Sequence, residues 1–401
     1  MPFRILSLDG GGIRGIVAAK MLATIEEKIG QPLHEYFDLI AGTSTGSILA
    51  AAIATGQRSE DIVEMYRQKS SIIFPYKSRF SLKRIPLILQ YGPSAPKYSD
   101  AGFTKVLKEA FGERKLFDIN TPRLLVLSFD TIDREAIVFK SWHKDKYQDR
   151  DRGKGYLDVP LWEVCLSSAS APTYFPAHKL EKREFGIARD GYAEIITLDE
   201  FSSSANDVYN NMEIRIVDGK GVGQTRIIKS YVGSTRQGKV SPPWDVIPDK
   251  TSKYSIKCIY SAIDGGVAAN DPSTCAMAEA LRLKYKPEDI FVLSIGTGER
   301  TRVIPYDKAR NWGLIQWAQP IIGILFDGSS QVYEYITDQV IGERLLRLQF
   351  KLDRDLTGKK LSDDLDDVSE ENIKNLLDAA SAYMKLPKVQ VGLDKFLKMS
   401  R

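Results

Sequence analysis

The sequence predicts an α/β protein: a three-layer α/β/α fold with a mainly parallel central sheet, interrupted by a small all-β insertion. Three observations predict it. Residues 124–129 and 290–295 are continuous apolar runs, as expected of strands buried on both faces. Such runs alternate with segments of helical periodicity, the pattern of a sheet covered on both sides. Between about 188 and 257 that alternation stops, and no convincing helix is present.

The elements follow in order. Residues 3–8 alternate apolar with small or polar side chains and read as a strand. Glycines follow, then a helix over 16–29 with Ile16, Met21, Leu22, Ile25 and Ile29 on one face, stopped by Gly30. Residues 37–41 form a second short strand. It turns through 42–46 into a helix over 47–55 that ends at Gly56. In the anomalous stretch, short β-rich runs at 194–198, 212–217 and 225–231 are punctuated by Gly219, Gly221, Gly223, Gly233, Pro242, Pro243 and Pro248. Near the C-terminus, Ser369 is placed to cap a helix whose first turn holds Glu370 and Glu371. The expected organisation is therefore 1–187, an inserted β-rich module at 188–256, a continuation at 257–350, and a helical extension at 351–401.

Composition narrows the function classes. In 401 residues, 56 Lys and Arg against 52 Asp and Glu give a net charge of +4, too even for a nucleic-acid binder. Cys165, Cys258 and Cys275 form neither a disulfide framework nor a metal-ligand pattern, and read as small apolar residues of a reducing compartment. No apolar run is long enough to cross a membrane, and the N-terminus lacks a signal-peptide pattern, so the expected location is cytoplasmic with at most peripheral membrane contact.

The chemistry lies in three short motifs. Gly42-Thr43-Ser44-Thr45-Gly46 is a G-x-S-x-G between a strand and a helix, the setting of a strained nucleophilic serine with Gly42 and Gly46 allowing close approach. A serine hydroxyl needs a proton acceptor. Of the histidines, His34 precedes the serine, His143 sits in a densely charged stretch, and His178 is not excluded by position. A carboxylate held in a partly dry site also serves, and Asp264, before Gly265 and Gly266, is the candidate. Gly10, Gly11 and Gly12, ending the first strand, are placed to aim N–H groups at an oxyanion, with Arg14 adding charge nearby. Phosphate binding is the competing reading of these glycines, but the Lys-Ser/Thr ending of a P-loop is missing.

Taken together and in order, D-G-G-G-x-R-G at 9–15, G-T-S-T-G at 42–46 and D-G-G at 264–266 resemble the signature of patatin-like phospholipases. Residues 170–177, 267–272, 293–298 and 317–335 are similar as well, so the resemblance covers roughly 1–187 and 257–350. It implies a Ser–Asp dyad of Ser44 and Asp264, an oxyanion hole from Gly10, Gly11 and Gly12 supported by Arg14, and no metal or cofactor. It also implies hydrolysis of fatty-acyl esters of phospholipids, lysophospholipids or galactolipids through an acyl-enzyme. The insertion departs from the family. Its Gly221–Arg226 run, Tyr231–Gly233, Pro243-Trp244, Pro248-Asp249 and Ser252 resemble small β modules of phage structural proteins. Entering so close to Asp264, it is positioned to block or gate the site.

Two stretches mix apolar, aromatic and basic residues as a membrane-docking surface does: residues 72–89, and the group of Trp312, Trp317, Ile321, Ile322, Leu325 and Phe326. Ordinary core packing is the competing expectation for both. The rival functions are a non-catalytic lipid-binding protein of the same fold and a lipase inactive until a ligand or partner binds.

Overall fold

A computed structural model describes residues 2–142, 159–318 and 320–400. His143 and the charged stretch after it lie outside the described residues. The described residues form two compact units: those within 2–142, 160–178 and 261–400 make one, and those within 179–260, with Val159, make the other.

The first unit is built on a sheet with five parallel strands. Their spatial order is Leu345–Leu348, Ile290–Ile295, Phe3–Leu8, Leu39–Thr43 and Arg123–Asp130. Glu135–Lys140 pairs antiparallel to Arg123–Asp130, as does the segment from Ala262 to Asp264. Both faces of the sheet are covered. Phe3, Ile5, Leu39, Leu125 and Val292 pack with Ala276 and Met277 of the helix Ser273–Arg282. Leu6, Leu8, Ile40, Val126 and Leu293 alternate with them and are equally buried on the opposite face. This is the three-layer α/β/α arrangement, and burial on both sides explains why 124–129 and 290–295 read as unbroken apolar runs.

Register fixes the site. Leu8 lies opposite Gly42 on one side and Ile295 on the other, and Gly42 lies opposite Val126. The loops that follow Leu8, Thr43 and Ile295 therefore leave one edge of the sheet together, where ligands of parallel sheets bind. Ser369 caps the helix Glu370–Met384 by accepting the Asn372 N–H.

The second unit carries antiparallel strands at Asp190–Tyr192, Ile195–Thr197, Glu213–Asp218, Thr225–Val232 and Gln237–Ser241. Its core holds Ile196, Ile214, Ile216, Ile228, Tyr231 and Trp244. The residues that stood out here in the sequence hold loops together. Gln224 accepts the N–H groups of Asp245 and Val246. The Arg226 guanidinium donates to the Pro243 carbonyl, pairs with Asp245 and lies over the Trp244 ring.

Among the described residues, no helix is long and apolar enough to cross a membrane.

Candidate active site

Ser44 stands between the strand Leu39–Thr43 and the helix Thr45–Ala54 with φ 55° and ψ −126°, a conformation costly for a side-chain-bearing residue. The surroundings enforce it. A Cβ on Gly42 would fall 2.2 Å from the Gly46 carbonyl oxygen, and one on Gly46 would fall 2.1 Å from that of Leu8. Only glycine fits at either position, so the strand and helix close tightly around the serine. The Ser44 N–H donates to Ser168 Oγ at 2.8 Å, and that hydroxyl donates onward to the Leu127 carbonyl.

Asp264 is delivered by the end of the strand Lys253–Asp264. Its N–H donates to the Ser170 carbonyl and that of Gly265 to the Ser168 carbonyl, which pins the turn to the end of the helix Leu161–Ala169. Ser44 Oγ donates to Asp264 Oδ2 at 2.6 Å, and the Gly266 N–H donates to Oδ1 at 2.8 Å. Asp264 has no solvent exposure. Burial pushes its carboxyl up to about 7, against the opposing pull of the Ser44 and Gly266 hydrogen bonds.

The glycine loop is locked in place next to the serine. The Gly10 N–H donates to the Asn270 carbonyl, and the Gly10 carbonyl accepts from Thr297 Oγ1 at 2.8 Å. Gly10 is therefore engaged, although all three glycine N–H groups were expected to face the substrate. The N–H groups of Gly11 and Gly12 donate to no acceptor among the described residues. Gly12 has φ 61° and lies against the Leu365 carbonyl. Arg14 braces this loop from within the protein, donating to the Gly11 and Gly298 carbonyls. Burial, with Arg300 nearby, lowers its guanidinium to about 9.

Ser44 and Asp264 open onto an apolar cavity walled by Ile48, Phe74, Phe103, Phe175, Phe326 and Leu365, among others. Neither described histidine reaches the serine. His34 Nε2 lies 3.9 Å from Glu35, and His178 Nε2 lies 3.8 Å from Glu163 beside Trp162. Burial lowers the His178 pKa.

The patatin-like phospholipase family model matches residues 6–216, more than half of the chain. The chain belongs to this family. Full-length relatives agree. Patatin-like protein 1 of Arabidopsis thaliana is 26% identical over 417 aligned positions, covering 97% of this chain and 83% of the relative. Patatin-2-Kuras 3 of Solanum tuberosum is 27% identical, covering 96% and 84%. A third, named probable inactive patatin-3-Kuras 1, also from Solanum tuberosum, is 26% identical, covering 98% and 91%. Among solved structures, human GIVD cytosolic phospholipase A2 overlaps 99% of this chain and 60% of its own at 12% identity and TM-score 0.40. VipD from Legionella pneumophila overlaps 98% and 67% at 10% identity and TM-score 0.38. Values this low leave the assignment resting on the sequence match.

The patatin-like model includes Ser44 and the glycine loop but ends before Asp264, which reaches the serine through the fold. Four contributors were not singled out as site residues in the sequence: Ser168, Asn270, Thr297 and Arg347, whose guanidinium donates to both carboxylate oxygens of Asp9 at the start of the glycine loop. Asn270 and Thr297 lie inside stretches that resemble the family, so a signal was present without a role attached. Ser168 lies just before another such stretch.

Proposed function

We propose that this patatin-like chain is a serine lipid acyl hydrolase working through a Ser44–Asp264 dyad. The observation that carries the reading is the 2.6 Å hydrogen bond from Ser44 Oγ to a fully buried carboxylate, at the foot of an apolar cavity. In the first step Asp264 takes the Ser44 proton while Oγ bonds to the ester carbonyl carbon. The resulting oxyanion is met by the Gly11 and Gly12 N–H groups, a type of contact worth ~3–4 kcal/mol per donor in the barrier. The alcohol leaves with the proton held by Asp264, and the acyl group remains on Ser44. Water then attacks the acyl-enzyme, giving its proton to Asp264. When the fatty acid departs, Oγ recovers that proton. The substrates in this reading are fatty-acyl esters of phospholipids, lysophospholipids or galactolipids. Residues 188–256 are read as a module inserted into this hydrolase.

A second reading, a hydrolase awaiting activation, is favoured by one observation. The cavity is about 50 Å³, whereas ligand sites usually run to ~300 Å³ or more. A fatty-acyl chain enters only if the walls move.

The test is turnover of a medium-chain p-nitrophenyl ester by wild type, Ser44→Ala and Asp264→Ala, with fluorophosphonate labelling of Ser44. Turnover and labelling in wild type alone support the hydrolase. Labelling without turnover supports the activated form. Turnover persisting in Ser44→Ala overturns the assignment.

A further inference from the structure

We infer that residues 77–91 form a docking surface for an anionic lipid bilayer at the mouth of the acyl cavity, an inference that rests on the hydrolase reading above. Packing does not account for this segment. Phe80 is 96% exposed, Leu82 81% and Leu89 83%, while among its large apolar residues Leu87 is buried and Ile88 half-buried. Isolated exposed leucines are ordinary on protein surfaces, but several large apolar side chains within ten residues form a patch. In the short helix Ile85–Tyr91, Ile85 and Leu89 are one turn apart and both exposed.

Charge selects the occupant. From Phe74 to Ser99 there is no acidic residue, while Lys77, Arg79, Lys83, Arg84 and Lys97 are all basic. Two of these are structural. Lys97 is buried against Asp366, and Arg84 donates to the Arg79, Ala95 and Pro96 carbonyls. Lys77 and Lys83 remain at the surface beside Phe80 and Leu82, and Lys77 has only a 3.8 Å contact with Asp367. Exposed aromatic and aliphatic tips flanked by solvent-exposed cations match a lipid surface whose headgroups are negative.

Position ties this surface to chemistry. The chain enters it directly after Ile73 and Phe74, which line the acyl cavity. It returns through hydrogen bonds from the Lys97 and Tyr98 N–H groups to the Thr173 and Tyr174 carbonyls, at 2.9 and 2.7 Å. Arg79 donates to the Thr173 carbonyl as well. Tyr174 lines the acyl cavity and also a wider one of about 600 Å³, whose wall segment leaves Val303 exposed. A bilayer seated on Phe80, Leu82 and Leu89 presents its acyl esters where Ser44 can receive them.

The experiment is co-sedimentation of Ser44→Ala protein with phosphatidylcholine vesicles and with mixed phosphatidylcholine–phosphatidylglycerol vesicles. The expected result is binding to the mixed vesicles that weakens as salt is raised. Introduced into the Ser44→Ala protein, Phe80→Ser/Leu82→Ser/Leu89→Ser should lose that binding; introduced into wild type, it should lose the hydrolysis of vesicle lipid while hydrolysing a soluble p-nitrophenyl ester as wild type does. Lys77→Glu/Lys83→Glu should weaken binding by at least about tenfold, with each cation worth ~1 kcal/mol near such a surface. Wild type that ignores anionic vesicles, or a triple variant that still binds them, overturns the docking surface. So does a triple variant that instead dissociates an oligomer, because the patch is then an interface between copies of the chain. Vesicle binding by a protein that neither turns over any ester nor takes the fluorophosphonate label sinks the hydrolase reading and leaves the docking surface standing.

Discussion

Arg347 grips Asp9 with both terminal nitrogens, at 2.9 and 2.5 Å from its two carboxylate oxygens, although 338 residues separate them in the chain. Asp9 opens the glycine loop. Arg347 sits on the edge strand Leu345–Leu348 and also lies 3.9 Å from Asp271, whose carboxylate accepts from Ser7 and from the Ser273 N–H. Burial alone would lower the Arg347 pKa, but the carboxylates of Asp9 and Asp271 outweigh it and hold the guanidinium firmly charged. This buried cluster anchors the start of the loop whose next residues present the free N–H groups.

Breaking this cluster from one side is therefore costly. Arg347→Met strands two buried carboxyl groups and should destabilise the protein by about 3–5 kcal/mol near neutral pH. Arg347→Met/Asp9→Asn should recover part of that loss. Urea unfolding of the three proteins checks both statements, and equal stability of the single and double variants would refute the pairing.

Ser168→Ala tests the support beneath Ser44. The Ser168 hydroxyl accepts the Ser44 N–H and donates to the Leu127 carbonyl, so its removal leaves two buried groups unsatisfied. The expected cost is about 1–3 kcal/mol in stability. Because the strained turn loses a restraint, kcat should fall while KM holds. A Ser168→Ala enzyme with unchanged kcat would show that the flanking glycines alone suffice.

The contrast between these residues and Ser44 explains what was legible in the sequence. The serine, its glycines and the loop at 9–15 are local patterns, because a sharp strand-to-helix turn requires small residues at fixed offsets. The parallel strands were legible because burial on both faces removes polar residues. Arg347 and Ser168 carry no local pattern. An arginine on an edge strand and a serine near a helix end acquire meaning only when register brings Leu8, Gly42 and Ile295 side by side. The exposure of Phe80 and Leu82 was equally hidden, since an apolar–basic mixture reads the same whether it packs inward or faces out. At the second candidate surface the same ambiguity resolved residue by residue: Phe326 is buried in the cavity wall, while Leu325 is 44% exposed.

The histidines give a simple check on the base. His178→Gln and His34→Gln should each keep ester turnover within a few-fold of wild type, because neither side chain meets Ser44, whose hydroxyl donates to Asp264. An inactive His178→Gln enzyme that remains folded by circular dichroism would transfer the base role away from Asp264.

Asp264 itself makes two linked predictions. Its carboxyl is raised to about 7, and a base must be ionised, so kcat/KM on a soluble ester should rise with pH to a midpoint near that value. Stability should run the other way. Between about pH 4, where the unfolded carboxyl ionises, and about pH 7, the native state holds a proton that the unfolded chain has lost. The contribution of Asp264 to stability is thus complete below that window, declines through it, and is flat above it, the full change being on the order of 4 kcal/mol. Asp264→Asn carries no such ionisation. It should be inactive at every pH, and its stability relative to wild type should grow across the same window. Urea unfolding of both proteins near the two ends of the window measures the difference. A constant difference, together with a pH–rate midpoint near the ordinary carboxylate value, would mean that Asp264 is not held in the dry environment on which its role as a base depends.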